Sequence, residues 1–288
     1  MTTLRELLDT LVADFEAAEL EYGHGTDNPW DEAVALSLGV LEWPDDVENL
    51  TRDVPLQNCK QIQRLAQRRI DERIPMPLLL GRTRFAGHEF VVSADVMIPR
   101  SPFAELIRHG FSPWVQTPPT RILDLCAGGG CIGISCALYW PSAQVVLSEL
   151  DALACELART NIERHGLERR VGLVQGDLFE QVAGRFDLIV ANPPYVPSLD
   201  TAARVAEFRH EPAAAFDGGA DGMDLVARIM RQATAHLTAQ GNLFVEVGQY
   251  QPELAARYPS VPFVWPDFAE GGEGVFLLAA KQLAEHTG

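Results

Sequence analysis

The sequence predicts an α/β fold: a mostly parallel sheet covered by helices on both faces, joined to a small N-terminal helical domain. Two patterns carry this expectation. From Arg121 onward, short β-rich runs alternate with helical runs, the rhythm that builds a parallel sheet. Before residue 75, apolar residues recur at helical spacing instead. With 288 residues, 47% of them hydrophobic, the chain can bury one sizeable core and a second small one.

The elements follow in order. Leu4, Leu7, Leu8, Leu11, Val12 and Phe15 form one apolar helical stripe. Asn28-Pro29-Trp30-Asp31-Glu32 starts a second helix, with Asn28 as cap, Pro29 in the first turn and acids at the positive end; Gly39 is placed to end it. A third helix is expected from Leu56 to Glu72, with Ile62, Leu65, Ala66 and Ile70 facing inward. Pro75 and Pro77 interrupt the pattern. The runs Arg82 to Phe85 and Glu89 to Val92, around Ala86-Gly87-His88, read as a connecting β-hairpin. Thr117-Pro118-Pro119 reads as a short connection. Strands are then expected at Ile122–Leu123, Val145–Leu147, Val171–Val174, Phe186–Val190, Asn242–Val247 and Val275–Leu278, with helices from Ile132, over Ala152–His165 and over Asp224–Leu237.

Composition excludes several classes. The formal charge is −17 and no basic run is present, which argues against stable DNA binding and favours a basic protein partner or a small ligand. Five cysteines without C-x-x-C pairs fit neither a disulfide framework nor a zinc site, and no metal is expected. The start, Met1-Thr2-Thr3-Leu4-Arg5-Glu6, does not read as a signal peptide, and no apolar run reaches the ~18 residues that span a membrane. The expectation is a reducing cytoplasm.

In open α/β sheets ligands bind beyond the carboxyl ends of the strands. Asp124-Leu125-Cys126-Ala127-Gly128-Gly129-Gly130 follows the first sheet strand and opens a helix. Glycines let a backbone approach a ligand closely, although an ordinary βα turn also uses them. Asp124 before the loop suits a cationic ligand better than a pyrophosphate. Glu149, followed by Leu150, ends the second strand, where a carboxylate can accept from ribose hydroxyls. Asp177 follows the third strand and could accept the adenine amino group, with Leu178 or Phe179 flanking the ring. A solvated acid and a turn-forming Asp are the plainer readings of these two. Together the three acids suit an adenosine with a cationic amino-acid tail, which is S-adenosylmethionine. The cofactor set is then Asp124, Cys126, Gly128, Gly130, Glu149, Leu150, Asp177, Leu178 and Asn192.

Asn192-Pro193-Pro194-Tyr195 follows the fourth strand. An amide nitrogen is a poor nucleophile because its lone pair is delocalised. Hydrogen bonds from its NH2 group to the Asn192 side-chain oxygen and the Pro193 carbonyl favour a pyramidal nitrogen with an available lone pair. Proline stiffens these acceptors, and Tyr195 can pack on a planar amide. Attack on a sulfonium needs positioning rather than an oxyanion hole. His88 and His210 are expected to pack or hydrogen-bond rather than catalyse.

These motifs together resemble the amino-methyltransferases with an N-P-P-Y motif, and within them the protein-(glutamine-N5) methyltransferases. The resemblance covers nearly the whole chain. It implies a seven-stranded Rossmann-like class I methyltransferase domain at 118–288, a hairpin linker region at 75–117 and a helical substrate-recognition domain at 1–74. It also implies Asn192, Pro193 and Tyr195 as catalytic residues. Tyr22 to Asn28, Ile98-Pro99-Arg100-Ser101-Pro102, Phe208-Arg209-His210-Glu211-Pro212 and Asp221-Gly222-Met223 resemble the branch that methylates ribosomal protein L-three. The release-factor branch usually has Pro-Asp where this chain has Ser101-Pro102. Two departures are Glu149, where members often have Asp, and Gly129, where they often have Ser. The competing readings are a release-factor glutamine methyltransferase, an adenine-N6 methyltransferase that flips its base, and a non-catalytic S-adenosylmethionine-binding protein acting on the ribosome.

Overall fold

A computed structural model describes residues 2–286. The chain begins with a helical body. Helix α1 (Leu4–Ala17) opens with a reciprocal cap, in which the Thr3 hydroxyl accepts the Glu6 N–H and the Glu6 carboxylate accepts the Thr3 N–H. Its stripe Leu4, Leu7, Leu8, Leu11 and Phe15 is buried against α2 (Pro29–Leu41) and α3 (Leu56–Glu72). Asn28 caps α2 as expected, its side chain accepting the Asp31 N–H at 2.9 Å. Gly39 does not end α2. It lies inside the helix, where a Cβ would sit 2.9 Å from the Leu80 methyl groups, and the turn that ends α2 is Glu42 in the left-handed region. The glycine serves packing against α4 (Met76–Leu80), whose Met76 joins the same apolar cluster.

The hairpin forms as β1 (Arg82–Phe85) and β2 (His88–Val91), paired antiparallel. After α5 (Phe103–Arg108) comes the sheet: β3 (Arg121–Leu125), β4 (Gln144–Glu149), β5 (Val171–Gln175), β6 (Phe186–Ala191), β7 (Leu237–Glu246) and β8 (Val275–Ala279). Helices α6 (Cys131–Tyr139), α7 (Ala152–Arg164), α8 (Ser198–Ala202), α9 (Asp224–His236), α10 (Gln251–Arg257) and α11 (Ala280–His286) complete the order. The strand order is β5-β4-β3-β6-β7-β8, parallel except for β8. Among the described residues six strands form the sheet; at its β8 edge the place of a seventh is held by one antiparallel bridge, Val264 to Leu277. Strand β7 starts at Leu237, directly after α9 and five residues before the expected Asn242, with a register shift against β6.

One apolar cluster lies on each face of the sheet. Ile134, Ala158, Leu188 and Val190 belong to one, and Leu123, Ile189, Val226 and Leu243 to the other. Alternation along β6 splits its residues between the two, as pleating requires. The strand order reverses between β3 and β6, and that is where a ligand crevice is expected.

An unexpected side chain joins the helical body to the rest. Arg69 on α3, beside the inward-facing row, is only 1% exposed. Its guanidinium meets Glu32 at 2.5 Å, Glu207 at 3.3 Å and the Glu21 carbonyl at 2.7 Å. Removing one partner of a buried ion pair leaves uncompensated charge at a cost of about 3–5 kcal/mol. Arg69→Ala is therefore expected to lose about 3–5 kcal/mol in urea unfolding. A change within ~0.5 kcal/mol, the range of an ordinary surface substitution, would remove this contact from the stabilising interactions.

Candidate active site

The register of the sheet sets the site. Leu125 of β3 lies opposite Ser148 of β4 and Ala191 of β6, so the loops that follow these strands emerge side by side. Cys126, Gly128 and Gly130 all take positive φ, at 55°, 53° and 81°. Gly130 starts α6, and a Cβ there would meet Leu147 Cδ1 at 2.9 Å and Ile134 Cδ1 at 3.0 Å. The loop therefore needs glycine at this point for both its turn and its close packing.

Asp124 is buried beneath this loop rather than presented on it. One carboxylate oxygen accepts the Gly133 N–H at 2.8 Å, and Oδ1 has no partner. Burial pushes its pKa up to about 7, the Gly133 hydrogen bond opposes this, and the charge of Glu149 adds to it. The unpartnered Oδ1 is what the side chain has left for a cationic ligand. Burial, and then the charges of Glu149, Asp124 and Asp177, push the Cys126 thiol far up. It stays protonated and is no nucleophile.

Glu149 is already engaged. Its carboxylate accepts the Gly128 N–H at 2.7 Å, the Leu150 N–H at 2.8 Å and the Asp151 N–H at 2.9 Å. A carboxylate has about four lone-pair sites. One further hydroxyl fits, while two, as the sequence suggested, require release of an amide. Asp177 pairs with Arg228 at 2.7 Å through Oδ2. Leu178 and Phe179, expected to flank the adenine ring, turn their side chains inward. Leu178 and Phe179 are 4% and 5% exposed in the core, and Phe179 stacks on His236 with centroids 4.6 Å apart. Leu150, 65% exposed beside Glu149, presents the apolar side chain at these strand ends. An orphaned buried oxygen, a cradle of positive-φ backbone and an exposed leucine fit an adenosine with a cationic tail.

Asn192, Pro193 and Tyr195 line a cavity of about 540 Å³, with Arg100, Ser101, Phe216 and Glu246 among its other walls. The structure thus separates two groups. The N-P-P-Y residues face a cavity, whereas Gly128, Glu149 and Asp177 lie at the neighbouring strand ends outside its lining. A return segment braces the motif: Val196 N–H donates to Phe216 O and Gly218 N–H to Val196 O, both at 2.9 Å.

Sequence reasoning missed Glu246 and the role of Glu211. Glu246 is 4% exposed at the end of β7 and accepts from Tyr195 Oη at 2.9 Å and Ser101 Oγ at 2.5 Å. Burial pushes its pKa up to about 7, against the pull of those hydrogen bonds. The Tyr195 phenol is pushed far up by burial and then by Glu246, so it stays a donor. An acid closing the apolar run Leu243-Phe244-Val245 was the available signal. Glu211 accepts both Arg100 Nη1 and Nη2 at 2.9 and 2.8 Å, the Ile98 N–H at 2.6 Å and His24 Nε2 at 3.0 Å. Burial works against ionisation of Glu211, but His24 and Arg100 outweigh it and hold its carboxyl below the usual range. The segments around residues 24, 100 and 211 therefore converge on one carboxylate. His210 bonds the Glu72 carbonyl at 2.8 Å, and His88 lies edge-on to His165. Among the described residues no three His, Cys, Asp or Glu side chains group as metal ligands, and no helix is long and apolar enough to cross a membrane.

Comparison with known proteins identifies the family. Residues 114–219 match the model of the methyltransferase small domain. The chain is 42% identical to the ribosomal protein uL3 glutamine methyltransferase of Bordetella pertussis, over 98% of this chain and 97% of that protein. It is 39% identical to the protein of the same name from Francisella tularensis, over 99% of this chain and 92% of that one. Among solved structures, the catalytic domain of hMettl16 in complex with the MAT2A 3′UTR hairpin 6 superposes with a TM-score of 0.55 at 13% identity, over 85% of this chain and 91% of that chain. That likeness concerns the fold alone. Near-full-length identity at this level places the sequence among its relatives: the chain belongs to the ribosomal protein uL3 glutamine methyltransferase family.

Proposed function

We propose that the chain transfers the methyl group of S-adenosylmethionine to the side-chain amide nitrogen (N5) of a glutamine in ribosomal protein uL3. The observation that carries this reading is the placing of Asn192, Pro193 and Tyr195 on the wall of one cavity beyond the carboxyl ends of β6 and β7. When bound, the cofactor supplies an electrophilic methyl group on a sulfonium. Glu149 takes a ribose hydroxyl with its remaining acceptor capacity, and Asp177 takes the adenine amino group with Oδ1. Leu150 covers the ring, while Asp124 Oδ1 balances the cationic tail. The positive-φ backbone at Cys126, Gly128 and Gly130 lets the loop approach the ligand, and Leu178 contributes its backbone.

In the cavity, the Asn192 side-chain oxygen and the Pro193 carbonyl accept hydrogen bonds from the two N–H groups of the glutamine amide. Pro193 and Pro194 hold those acceptors stiffly. Tyr195 packs on the amide plane. The reaction then depends on alignment, the effect that converts a bimolecular displacement into an internal one.

The helical body at 1–74 is assigned to the protein substrate, with 75–117 as the connection and 118–288 as the transferase domain. A groove of about 860 Å³ runs between α2, α4 and the hairpin, with Glu42, Asp45 and Trp43 on its rim. The charge of −17 suits a basic partner and argues against stable binding to DNA. Five free cysteines fit a reducing compartment such as the cytoplasm. Deleting the helical body is a poor test of its role, because it would strand Glu207 and Glu211 without Arg69, Arg73 and His24. Point changes on the groove rim avoid this.

Labelled S-adenosylmethionine offered with unmethylated uL3 and, in parallel, with a peptide-chain release factor tests the reaction. Label is expected on a uL3 glutamine and is expected to vanish with Asn192→Ala, whose loss of turnover should far exceed any loss of cofactor affinity. Label on the release factor alone would move the chain to that substrate; binding without turnover on either would favour the non-catalytic reading or a nucleic-acid acceptor. Glu149→Ala should act oppositely, weakening cofactor binding about tenfold or more by loss of ~1.5–3 kcal/mol of charged hydrogen bonding. Unchanged calorimetric affinity would exclude the ribose role. Finally, raising NaCl from about 0.05 to about 0.5 M should raise KM for uL3 by screening, and Glu42→Lys with Asp45→Lys should do so at constant salt. Salt-independent kinetics would count against electrostatic capture.

A further inference from the structure

Glu246 has no part in the chemistry just described, yet it forms part of the cavity wall with almost no solvent exposure. Its two oxygens are used by different parts of the chain. Oε1 accepts the Tyr195 hydroxyl at 2.9 Å, and Oε2 accepts the Ser101 hydroxyl at 2.5 Å. Ser101 Oγ in turn accepts the Phe103 N–H at 3.1 Å. The donors run in one sense, from the start of α5 through Ser101 to the carboxylate, with Tyr195 closing from the other side. Chained donors of this kind polarise and strengthen one another.

The partners are two hydroxyls. Arg100 is the nearby cation, and both terminal nitrogens of its guanidinium donate to Glu211. Burying a carboxylate among hydroxyls is costly relative to an apolar residue of similar size, so stability alone does not account for Glu246. The ring it holds is confined on another side as well. Gly248 has φ +52°, and a Cβ there would lie 3.1 Å from Tyr195 Cε2 and Oη. The ring thus rests against backbone while its hydroxyl is tied to Glu246.

We propose that Glu246 is a positioning residue for methyl transfer: its carboxylate holds the Tyr195 ring and the Ser101 segment as two fixed walls of the cavity, and so aligns the acceptor amide. The assignment rests on the reading of this cavity as the glutamine site. A carboxylate accepts from both hydroxyls at once. A glutamine side chain in its place has one acceptor oxygen, so one of the two hydroxyls must turn round and accept from its NH2 group, which breaks the one-way run of donors and shifts that wall.

The test measures kcat and KM for uL3, and the cofactor dissociation constant by calorimetry, for wild type, Glu246→Gln, Ser101→Ala, Tyr195→Phe and the double variant Tyr195→Phe/Glu246→Gln. Glu246→Gln is expected to lower kcat on the order of 10²-fold, as a misplacement of about 1 Å does, with cofactor affinity unchanged. Ser101→Ala, which removes a single hydroxyl and guards against a Glu246 variant that fails to fold, is expected to lower kcat in the same direction by a smaller factor. The double variant should be slower than Glu246→Gln by less than the factor Tyr195→Phe costs alone, because the Tyr195–Glu246 contact can be lost only once. Losses that multiply, a change confined to KM, or wild-type kcat in both Glu246→Gln and Ser101→Ala would overturn the proposal while leaving the reaction intact. A wild-type protein inert toward uL3 would instead overturn the reading of the cavity, and the role of Glu246 with it.

Discussion

Two buried carboxylates on one short segment, Glu207 and Glu211, hold the molecule's working parts together. Glu207 meets Arg69 and Arg73 of the α3 end at 3.3 Å each and accepts the Glu21 N–H at 3.2 Å. Four residues later, Glu211 gathers His24, Arg100 and the Ile98 backbone. One strip of chain therefore fastens the helical body, the segment before α5 and the cavity. The cavity wall depends on the same strip: Arg100 lies over the Phe208 and Phe216 rings at 5.0 and 5.5 Å. Buried ion pairs add little net stability over apolar packing, but they tolerate only one arrangement of their partners. A segment tied at Glu207 and Glu211 has little freedom, and Phe216 passes that order on through its backbone bond to Val196, next to Tyr195.

The strand ends show a related economy. Each acid there has a protein partner of its own: Asp124 has Gly133, Glu149 has three amides, Asp177 has Arg228. Such engagement orients the carboxylates and leaves defined acceptor capacity, which is how preorganised sites avoid reorganisation during binding. It also explains why an acid can be recognised in the sequence while its free valence cannot. The number of lone pairs left over depends on which amides the loop turns inward.

The elements that read well from sequence are those governed by local pattern. The stripe of α1, the Asn28 cap, the span of α3 and the alternation after Arg121 all rest on periodicity or on a side chain reaching its own backbone a few residues away. Gly39 misled because a helix interior and a helix end look alike when the reason for the glycine is the Leu80 side chain, forty-one residues on. The burial of Leu178 and Phe179 was not legible because the face they show is set by packing under α9, whose His236 takes the Phe179 ring.

By itself the sequence determined the class of the fold, the order of its elements, the acids after three successive strands and the Asn192-Pro193-Pro194-Tyr195 motif, since each is written in neighbouring residues. Tertiary structure alone decided that Asp124 is buried, that Arg69 faces inward with Glu32 and Glu207, that residues 24, 100 and 211 meet on one carboxylate, and that Glu246 joins Ser101 to Tyr195. These partners lie 37 to 187 residues apart, apart from the Asp124 bond to Gly133. A charged residue carries no local mark of its distant partner, because its burial is tolerated only once the fold has delivered the opposite charge or the hydroxyl that satisfies it.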